Sequence, residues 1–206
     1  MVRTRVKICG ITRIADAVAA SDAGADAIGL VFYAPSARNL AVEDATGIVE
    51  TVGCFVSTVG LFVNPKVDEV RRVLEAVPLD RLQFHGEESE AFCRQFGKPY
   101  IKALRAKPGA NFGELAASFP SAAGILLDSY KPGVAGGTGE VFDWQTIPVQ
   151  LRNSIILAGG LNPDNIAGAI RGVRPNAVDV SGGVESSPGV KSAEKIRAFI
   201  EVLNGE

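Results

Sequence analysis

Eight short apolar runs recur along this 206-residue chain, and helical segments separate them. Most runs are apolar at successive positions, which is typical of parallel strands covered by helices. We predict strands over residues 5–9, 27–32, 57–63, 81–84, 100–104, 124–128, 154–158 and 177–180. Eight strand–helix alternations predict an α/β fold, a (β/α)8 barrel in which residues 1–206 form one domain. A doubly wound open sheet is the main alternative, although it usually has fewer strands.

The predicted helices alternate with these strands, and turn residues mark some of their ends. They cover residues 13–23, 42–52, 65–77, 88–96, 162–171 and 192–203. Asn64-Pro65 and Asn162-Pro163 each place a proline after a capping side chain, so we predict that a helix begins at each pair. Gly24 lies where the first helix is expected to end.

Composition excludes several classes of protein. A net charge of −2 and a pI near 5.6 argue against a general affinity for nucleic acid or an anionic membrane. No apolar run approaches the roughly 18 residues that a membrane helix needs, and the N-terminus is polar again by Thr12, too early for a secretory signal. Three widely spaced cysteines fit a reducing compartment, and a single histidine makes a histidine-based zinc site improbable. We expect a cytoplasmic enzyme without a structural metal.

Two reactive side chains end predicted strands, the position where (β/α)8 barrels carry their active sites. Asp128 follows an apolar run, so desolvation favours its protonated form and suits it to a general acid. Cys9 precedes Gly10 and a predicted helix, whose N-terminus is expected to lower the pKa of the thiol and make it a base. The alternatives are a loop brace for Asp128 and a buried small hydrophobe for Cys9.

Glycine-rich segments follow three of the predicted strands. Residues 136–139 (Gly136, Gly137, Thr138 and Gly139) come after Asp128 and are interpreted as a lid loop that closes over a small molecule. The remaining glycine pairs are preceded by strands seven and eight, after which barrels often bind phosphate. We predict a phosphate site at Gly159, Gly160, Ser181, Gly182 and Gly183.

Three further polar residues are candidates for substrate binding. Arg38, in the loop after strand two, can bind a carboxylate with two hydrogen bonds, although an exposed loop arginine is usually only a solvated charge. His85, the single imidazole, is either a general base or a group that orients substrate. Asp179 is either a site residue or a buried hydrogen-bond acceptor.

Taken together, these segments resemble the phosphoribosylanthranilate isomerase family, and they follow one another in the family's order along essentially the whole chain. They are KICGIT at 7–12, the Ser36-x-Arg38 loop, QFHGEE at 83–88, LLDSYKPGVAGGTGEVFDW at 126–144, LAGGLNPDN at 157–165 and VDVSGGVE at 178–185. The resemblance implies a single-domain TIM barrel of the ribulose-phosphate-binding type and an enzyme of tryptophan biosynthesis. Its reaction is the Amadori rearrangement of N-(5-phosphoribosyl)anthranilate to 1-(2-carboxyphenylamino)-1-deoxyribulose 5-phosphate.

The resemblance also implies roles for individual residues. Cys9 matches the family's general base, Asp128 its general acid, and Arg38 the arginine that meets the anthranilate carboxylate. The glycine loops at 159–160 and 181–183 match its phosphate site. The substrate is a small phosphosugar, and neither a metal nor a redox cofactor is needed because the substrate nitrogen serves as the electron sink.

The chain departs from the family pattern at two positions. Ala37 replaces a proline common before Arg38, so that loop is expected to be less rigid. Gly182 replaces a serine, which removes one side-chain contact to phosphate but leaves the backbone donors.

Two other functions remain open at this point. A related phosphosugar lyase or synthase would use a strand lysine such as Lys7 or Lys102, although neither ends its strand. A noncatalytic sugar-phosphate-binding barrel would keep the glycine loops without an acid and a base. Since only one glycine phosphate site is evident, we expect a single substrate and not a second, doubly phosphorylated aminoaldose. We expect a monomer or a weak homodimer.

Overall fold

The computed structural model describes residues 3–107, 109–129 and 143–205. Eight parallel strands form a closed barrel in chain order, in which each strand pairs with the next and β8 pairs with β1. The strands are β1 (Arg5–Cys9), β2 (Ala27–Val31), β3 (Ser57–Phe62), β4 (Arg81–Phe84), β5 (Tyr100–Ala106), β6 (Gly124–Ser129), β7 (Ile155–Leu157) and β8 (Ala177–Val180). The predicted barrel is confirmed, and the alternative of an open sheet is wrong.

Helices connect successive strands on the outside of the barrel. They are α1 (Ile14–Asp22), α2 (Val42–Val49), α3 (Val67–Ala76), α4 (Glu90–Arg94), α5 (Phe112–Ala117), α6 (Val149–Arg152), α7 (Ile166–Val173) and α8 (Ala193–Gly205). The short helices α5 and α6 were not predicted, because neither is long enough to show a clear helical period. Gly24 follows α1 with a φ of +94°, as its predicted place at the end of that helix requires.

Both predicted helix starts at Asn-Pro pairs are wrong. Asn64 has a φ of +48°, and its Oδ1 accepts a hydrogen bond from the backbone N–H of Glu87 instead of capping a helix. Asn162 Oδ1 accepts from the N–H groups of Asp164 and Asn165, which closes a turn ahead of α7. Each side chain thus stabilises a loop at the carboxyl end of the barrel, and α3 and α7 begin further along the chain.

Side chains alternate between the helix layer and the barrel interior along each strand. On β1, Val6 and Ile8 belong to the large core between the strands and the helices, while Lys7 and Cys9 point inward. A second apolar cluster fills the interior and consists of Val59, Ile101, Ala103, Leu126 and Ala158. This cluster occupies the barrel interior, and the cavity formed by the described residues opens at the carboxyl ends of the strands.

An antiparallel hairpin that was not predicted follows β8. It consists of β9 (Glu185–Ser187) and β10 (Val190–Lys191) and leads into α8. The hairpin brings Glu185 and Lys191 beneath the loop after β8, where both side chains are buried. Within residues 3–107, 109–129 and 143–205, no helix is long and apolar enough to cross a membrane.

Candidate active site

A cavity of about 220 Å³ opens at the carboxyl ends of the strands. Every predicted site residue that the structure describes lines it: Cys9, Arg38, His85, Asp128, Gly159, Gly160, Asp179, Ser181, Gly182 and Gly183. The predicted lid, residues 136–139, lies outside the described residues. Residues from six different strand ends or loops therefore converge on one space, as the barrel topology predicts.

Asp128 and His85 meet across β5 inside this cavity. Asp128 Oδ2 lies 3.2 Å from His85 Nε2, and both side chains are at most 10% exposed. The ring is not aligned for a hydrogen bond, so Nε2 is buried without a partner among the described residues. The carboxyl group is thus buried beside the His85 ring, and it lines the cavity where a substrate oxygen can reach it.

The thiol of Cys9 is buried at the end of β1. Burial raises its pKa, and the nearby Asp179 carboxylate raises it further, whereas the charge of Lys7 acts in the opposite direction. The predicted lowering of this pKa by a helix N-terminus is wrong, because α1 begins only at Ile14 while apolar walls surround the sulfur. The groups that favour the thiolate are cations, Lys7 on the same strand and Lys191 on β10, and not a helix N-terminus.

Lys7 and Asp179 form a buried ion pair directly below Cys9. Lys7 Nζ lies 2.9 Å from Asp179 Oδ1, and the two side chains are 6% and 9% exposed. Burial alone would lower the pKa of Lys7, but the charges of Asp179 and Cys9 outweigh it and raise that pKa. Strand alternation places Lys7 on the same side as Cys9, but only the pairing of β1 with β8 brings Asp179 to it.

Arg38 lines the cavity beside Gly10, and Glu185 holds its guanidinium group. Nε and Nη2 of Arg38 each lie 2.7 Å from one carboxylate oxygen of Glu185. Lys191 Nζ donates to the same carboxylate at 2.7 Å and also to Ser181. Although burial raises the pKa of Glu185, these two cations lower it below its ordinary value. The pairing leaves the Nη1 edge of Arg38 available to a ligand.

Gly10 makes room for this arginine. A Cβ at Gly10 would lie 2.6 Å from Arg38 Cδ, and the φ of Gly10 is +75°. A residue with a side chain would therefore be strained and would also displace Arg38.

The two glycine loops pack against each other at the end of β7 and β8. Gly159 and Gly160 have φ angles of +87° and +67°. A Cβ at Gly183 would lie 1.9 Å from the carbonyl oxygen of Leu161, and one at Gly159 would lie 2.5 Å from the backbone nitrogen of Ser129. Only glycine permits this close approach, which leaves a cradle of backbone without side chains of the kind that binds phosphate.

An apolar wall completes the cavity between Cys9 and Arg38. Its residues are Val31, Tyr33, Leu61 and Val63, which lie at the ends of β2 and β3. Such a wall suits a flat aromatic ring with a polar group at its edge. These residues are not predicted from the sequence as part of a site, since apolar side chains at strand ends resemble core residues.

The QFHGEE segment is held from below by a second buried ion pair. Lys102 Nζ lies 2.7 Å from Glu88 Oε2 and 2.6 Å from the carbonyl oxygen of Gly86. Glu88 also accepts from the N–H groups of Asn64 and Gly86. Because Lys102 is 2% exposed and does not line the cavity, it cannot serve as the reactive lysine of a Schiff-base enzyme.

The barrel, the buried Cys9 thiol and Asp128 carboxyl group on one cavity, and the glycine cradle beside them are typical of an enzyme that performs acid–base chemistry on a small phosphorylated ligand. A family model described as N-(5'-phosphoribosyl)anthranilate (PRA) isomerase matches residues 6–202. The chain belongs to this family. It is an isomerase of tryptophan biosynthesis that rearranges an aminoaldose to an aminoketose.

Individual relatives match over nearly the full length. An N-(5'-phosphoribosyl)anthranilate isomerase of Pseudomonas fluorescens (strain Pf0-1) is 58% identical, covering 98% of this chain and 100% of the relative. The crystal structure of the Thermotoga maritima enzyme is 41% identical with a TM-score of 0.88, covering 98% and 100%. A crystal structure of a phosphoribosyl anthranilate isomerase in complex with reduced 1-(o-carboxyphenylamino)-1-deoxyribulose 5-phosphate is 40% identical with a TM-score of 0.84, covering 98% and 100%.

Proposed function

We propose that Asp128 is the general acid and Cys9 the general base of this isomerisation. The observation that carries the proposal is their placement at the ends of β6 and β1, on one cavity, with no other thiol among its lining residues. Acid and base on different strands can act on different atoms of one substrate without neutralising each other.

The chemistry assigns one proton transfer to each residue. Protonated Asp128 donates to the ring oxygen of N-(5-phosphoribosyl)anthranilate while the C1′–O bond breaks, which leaves an iminium ion at C1′ and the nitrogen. The positive charge acidifies the C2′ proton, and the Cys9 thiolate removes it to give an enolamine. The enolamine hydroxyl proton then moves to C1′, which yields the aminoketose, and both residues recover their protonation states by exchange with water.

Arg38 is proposed to bind the carboxylate of the anthranilate group. Glu185 fixes the guanidinium group with two hydrogen bonds, so its free edge points in a defined direction. The apolar wall at the ends of β2 and β3 lies beside Arg38 in the same cavity, where the anthranilate ring can pack against it. This arrangement supports recognition of an aromatic acid.

The glycine loops are proposed to bind the phosphate group. Gly160 and Gly182 line the cavity at adjacent strand ends and present backbone without side chains to it. Backbone N–H groups in such a turn bind anions well, because each donor is fixed before the ligand arrives. His85 and Asp179 line the same cavity and are proposed to contact the ribose part of the substrate, the first beside Asp128 and the second below Cys9.

The protein is proposed to act in the cytoplasm as one domain, residues 1–206, that is a monomer or a weak homodimer. All three cysteines are free, which suits a reducing compartment. A similar structure, 38% identical with a TM-score of 0.84, shows monomers generated from the dimeric T. maritima enzyme. Sedimentation at two protein concentrations tests the oligomeric state, and a concentration-independent dimer would contradict the proposal.

Substitution of the two proton carriers tests the proposed mechanism. Cys9→Ala and Asp128→Asn should each lower kcat by about 10²–10⁴-fold, the usual contribution of a general acid or base. Calorimetric binding of the reduced product analogue should persist in both variants, because phosphate and carboxylate contacts remain. Cys54→Ser and Asp44→Asn, at exposed positions away from the cavity, are the matched controls. Retained turnover in either site variant would refute its assigned role.

A further inference from the structure

Lys7 is a buried charged residue that takes no part in the two proposed proton transfers. Its side chain is 6% exposed, inside a barrel whose interior also contains the apolar cluster described above. A buried lysine is costly unless it is paired, and Asp179 provides one partner at 2.9 Å. An ion pair in this position adds little to stability compared with an apolar pair. Its location directly below Cys9 therefore points to a role at the sulfur.

Lys7 also lies beside Cys9, and the charge of its ammonium group acts on the sulfur. Gly29, the β2 residue in register with Cys9, makes this close approach sterically possible. A Cβ at Gly29 would lie 2.8 Å from Cys9 Sγ and 3.0 Å from Lys7 Nζ, so both atoms occupy the space that a side chain would take.

Besides Lys7, charged groups on β8, on β10 and in the loop after β2 act on the sulfur. Asp179 on β8 disfavours the thiolate, while Lys191 on β10 favours it. Arg38, after β2, is also close enough to interact with the sulfur, but its charge is bound to Glu185. His85 and Asp128 face the cavity from β4 and β6. Lys7 is the cation that shares the space at Gly29 with the sulfur, and Asp179 is the acid that pairs with Lys7.

We propose that the Lys7 ammonium group stabilises the thiolate form of Cys9, and that Asp179 positions this ammonium group below the sulfur. Lys7 thus acts through Cys9 and does not contact the substrate. Asp179 has two opposing effects: it holds Lys7 in place, and its own negative charge limits how much thiolate forms. This inference rests on the proposed role of Cys9 as the base.

The reactivity of the thiol toward iodoacetamide as a function of pH tests the proposal without any substrate. All proteins carry Cys54→Ser, which removes the exposed thiol, and mass spectrometry of peptides confirms alkylation at Cys9. Lys7→Met should move the midpoint of the reactivity curve up by about 1–3 pH units, since a cation in contact shifts a pKa by that amount. Asp179→Asn should move the midpoint down. The acidic limb of kcat/KM should move in the same directions.

The opposite signs distinguish an electrostatic role from structural damage. Lys7→Met leaves Asp179 buried without its partner. The double variant Lys7→Met/Asp179→Asn avoids this, because it removes both charges of the ion pair. Its reactivity midpoint is therefore compared with that of Asp179→Asn alone. A midpoint higher in the double variant supports the proposal. Equal midpoints, or shifts of the same sign in both single variants, would overturn it. If Cys9→Ala retained turnover, the assignment of the base would fail instead, whatever the alkylation curves show.

Discussion

Replacing Glu185 with glutamine tests how Arg38 is held. Glu185 accepts three hydrogen bonds at 2.7 Å, two from Arg38 and one from Lys191. Glutamine has the same shape, but it has one acceptor oxygen and one NH2 group. If its oxygen takes the position shared by Arg38 Nε and Lys191, its NH2 group faces Nη2 of Arg38, where two donors cannot bond.

The magnitude follows from the bonds lost. One hydrogen bond between charged groups disappears and the carboxylate charge is removed, which should lower the free energy of unfolding by about 1.5–3 kcal/mol. Arg38 becomes free to reorient, so substrate binding must order it again. Ordering one long side chain costs about 0.5–1.5 kcal/mol, which corresponds to a rise in KM of about 2- to 12-fold.

Steady-state kinetics on two substrates separate this effect from general damage. We expect Glu185→Gln to raise KM for N-(5-phosphoribosyl)anthranilate and to leave KM nearly unchanged for the analogue made with aniline, which lacks the carboxylate. The control Glu194→Gln, at an exposed position in the first turn of α8, should behave as the unsubstituted protein does. An equal rise in KM for both substrates would refute the account of Arg38.

The remaining predictions concern the phosphate loops and acid stability. Gly183→Ala places a Cβ 1.9 Å from the Leu161 carbonyl oxygen, so the cradle must move by about 1 Å and kcat/KM should fall roughly 100-fold. The control is Gly168→Ala, at an exposed position in α7 where a Cβ would have no atom within 4 Å. It should instead stabilise the protein by about 0.5–1 kcal/mol, measured by urea unfolding. The same loss of activity in both variants would contradict the steric argument. Because the folded-state pKa of Glu185 lies below its ordinary value of 4.5, its contribution to stability is present above that pH and is lost as pH falls through the folded-state pKa. The urea concentration at the unfolding midpoint, measured from pH 7 to pH 3, should therefore fall less in Glu185→Gln than in the unsubstituted protein. An identical fall of the midpoint with pH in both proteins would contradict this.

The sequence predicts the barrel and the positions of Cys9 and Asp128 at strand ends because both depend on local patterns. Apolar runs of strand length mark the interior and helix-facing positions, and Cys9 and Asp128 each end such a run. The glycine loops are predictable for the same reason, since close backbone contact at Gly159 and Gly183 requires glycine.

The sequence does not predict contacts that join distant parts of the chain. Glu185 lies 147 positions after Arg38, and Asp179 lies 172 positions after Lys7. Closure of the barrel brings Lys7 and Asp179 together, and the hairpin after β8 brings Glu185 to Arg38. Neither pair therefore leaves a local signal in the sequence. The pKa of Cys9 was predicted in the wrong direction for the same reason: it depends on how completely the folded barrel buries the sulfur.

The initial rate of substrate consumption by a Cys9→Ser variant tests whether the Cys9 sulfur acts as the base. Serine preserves the size and polarity of the side chain but does not ionise at neutral pH. Freshly made N-(5-phosphoribosyl)anthranilate is fluorescent, so the loss of fluorescence reports turnover above the spontaneous rate. We predict rapid loss with the unsubstituted protein and a rate at least about 100-fold lower with Cys9→Ser. Equal rates for the two proteins would show that the Cys9 sulfur is not the base.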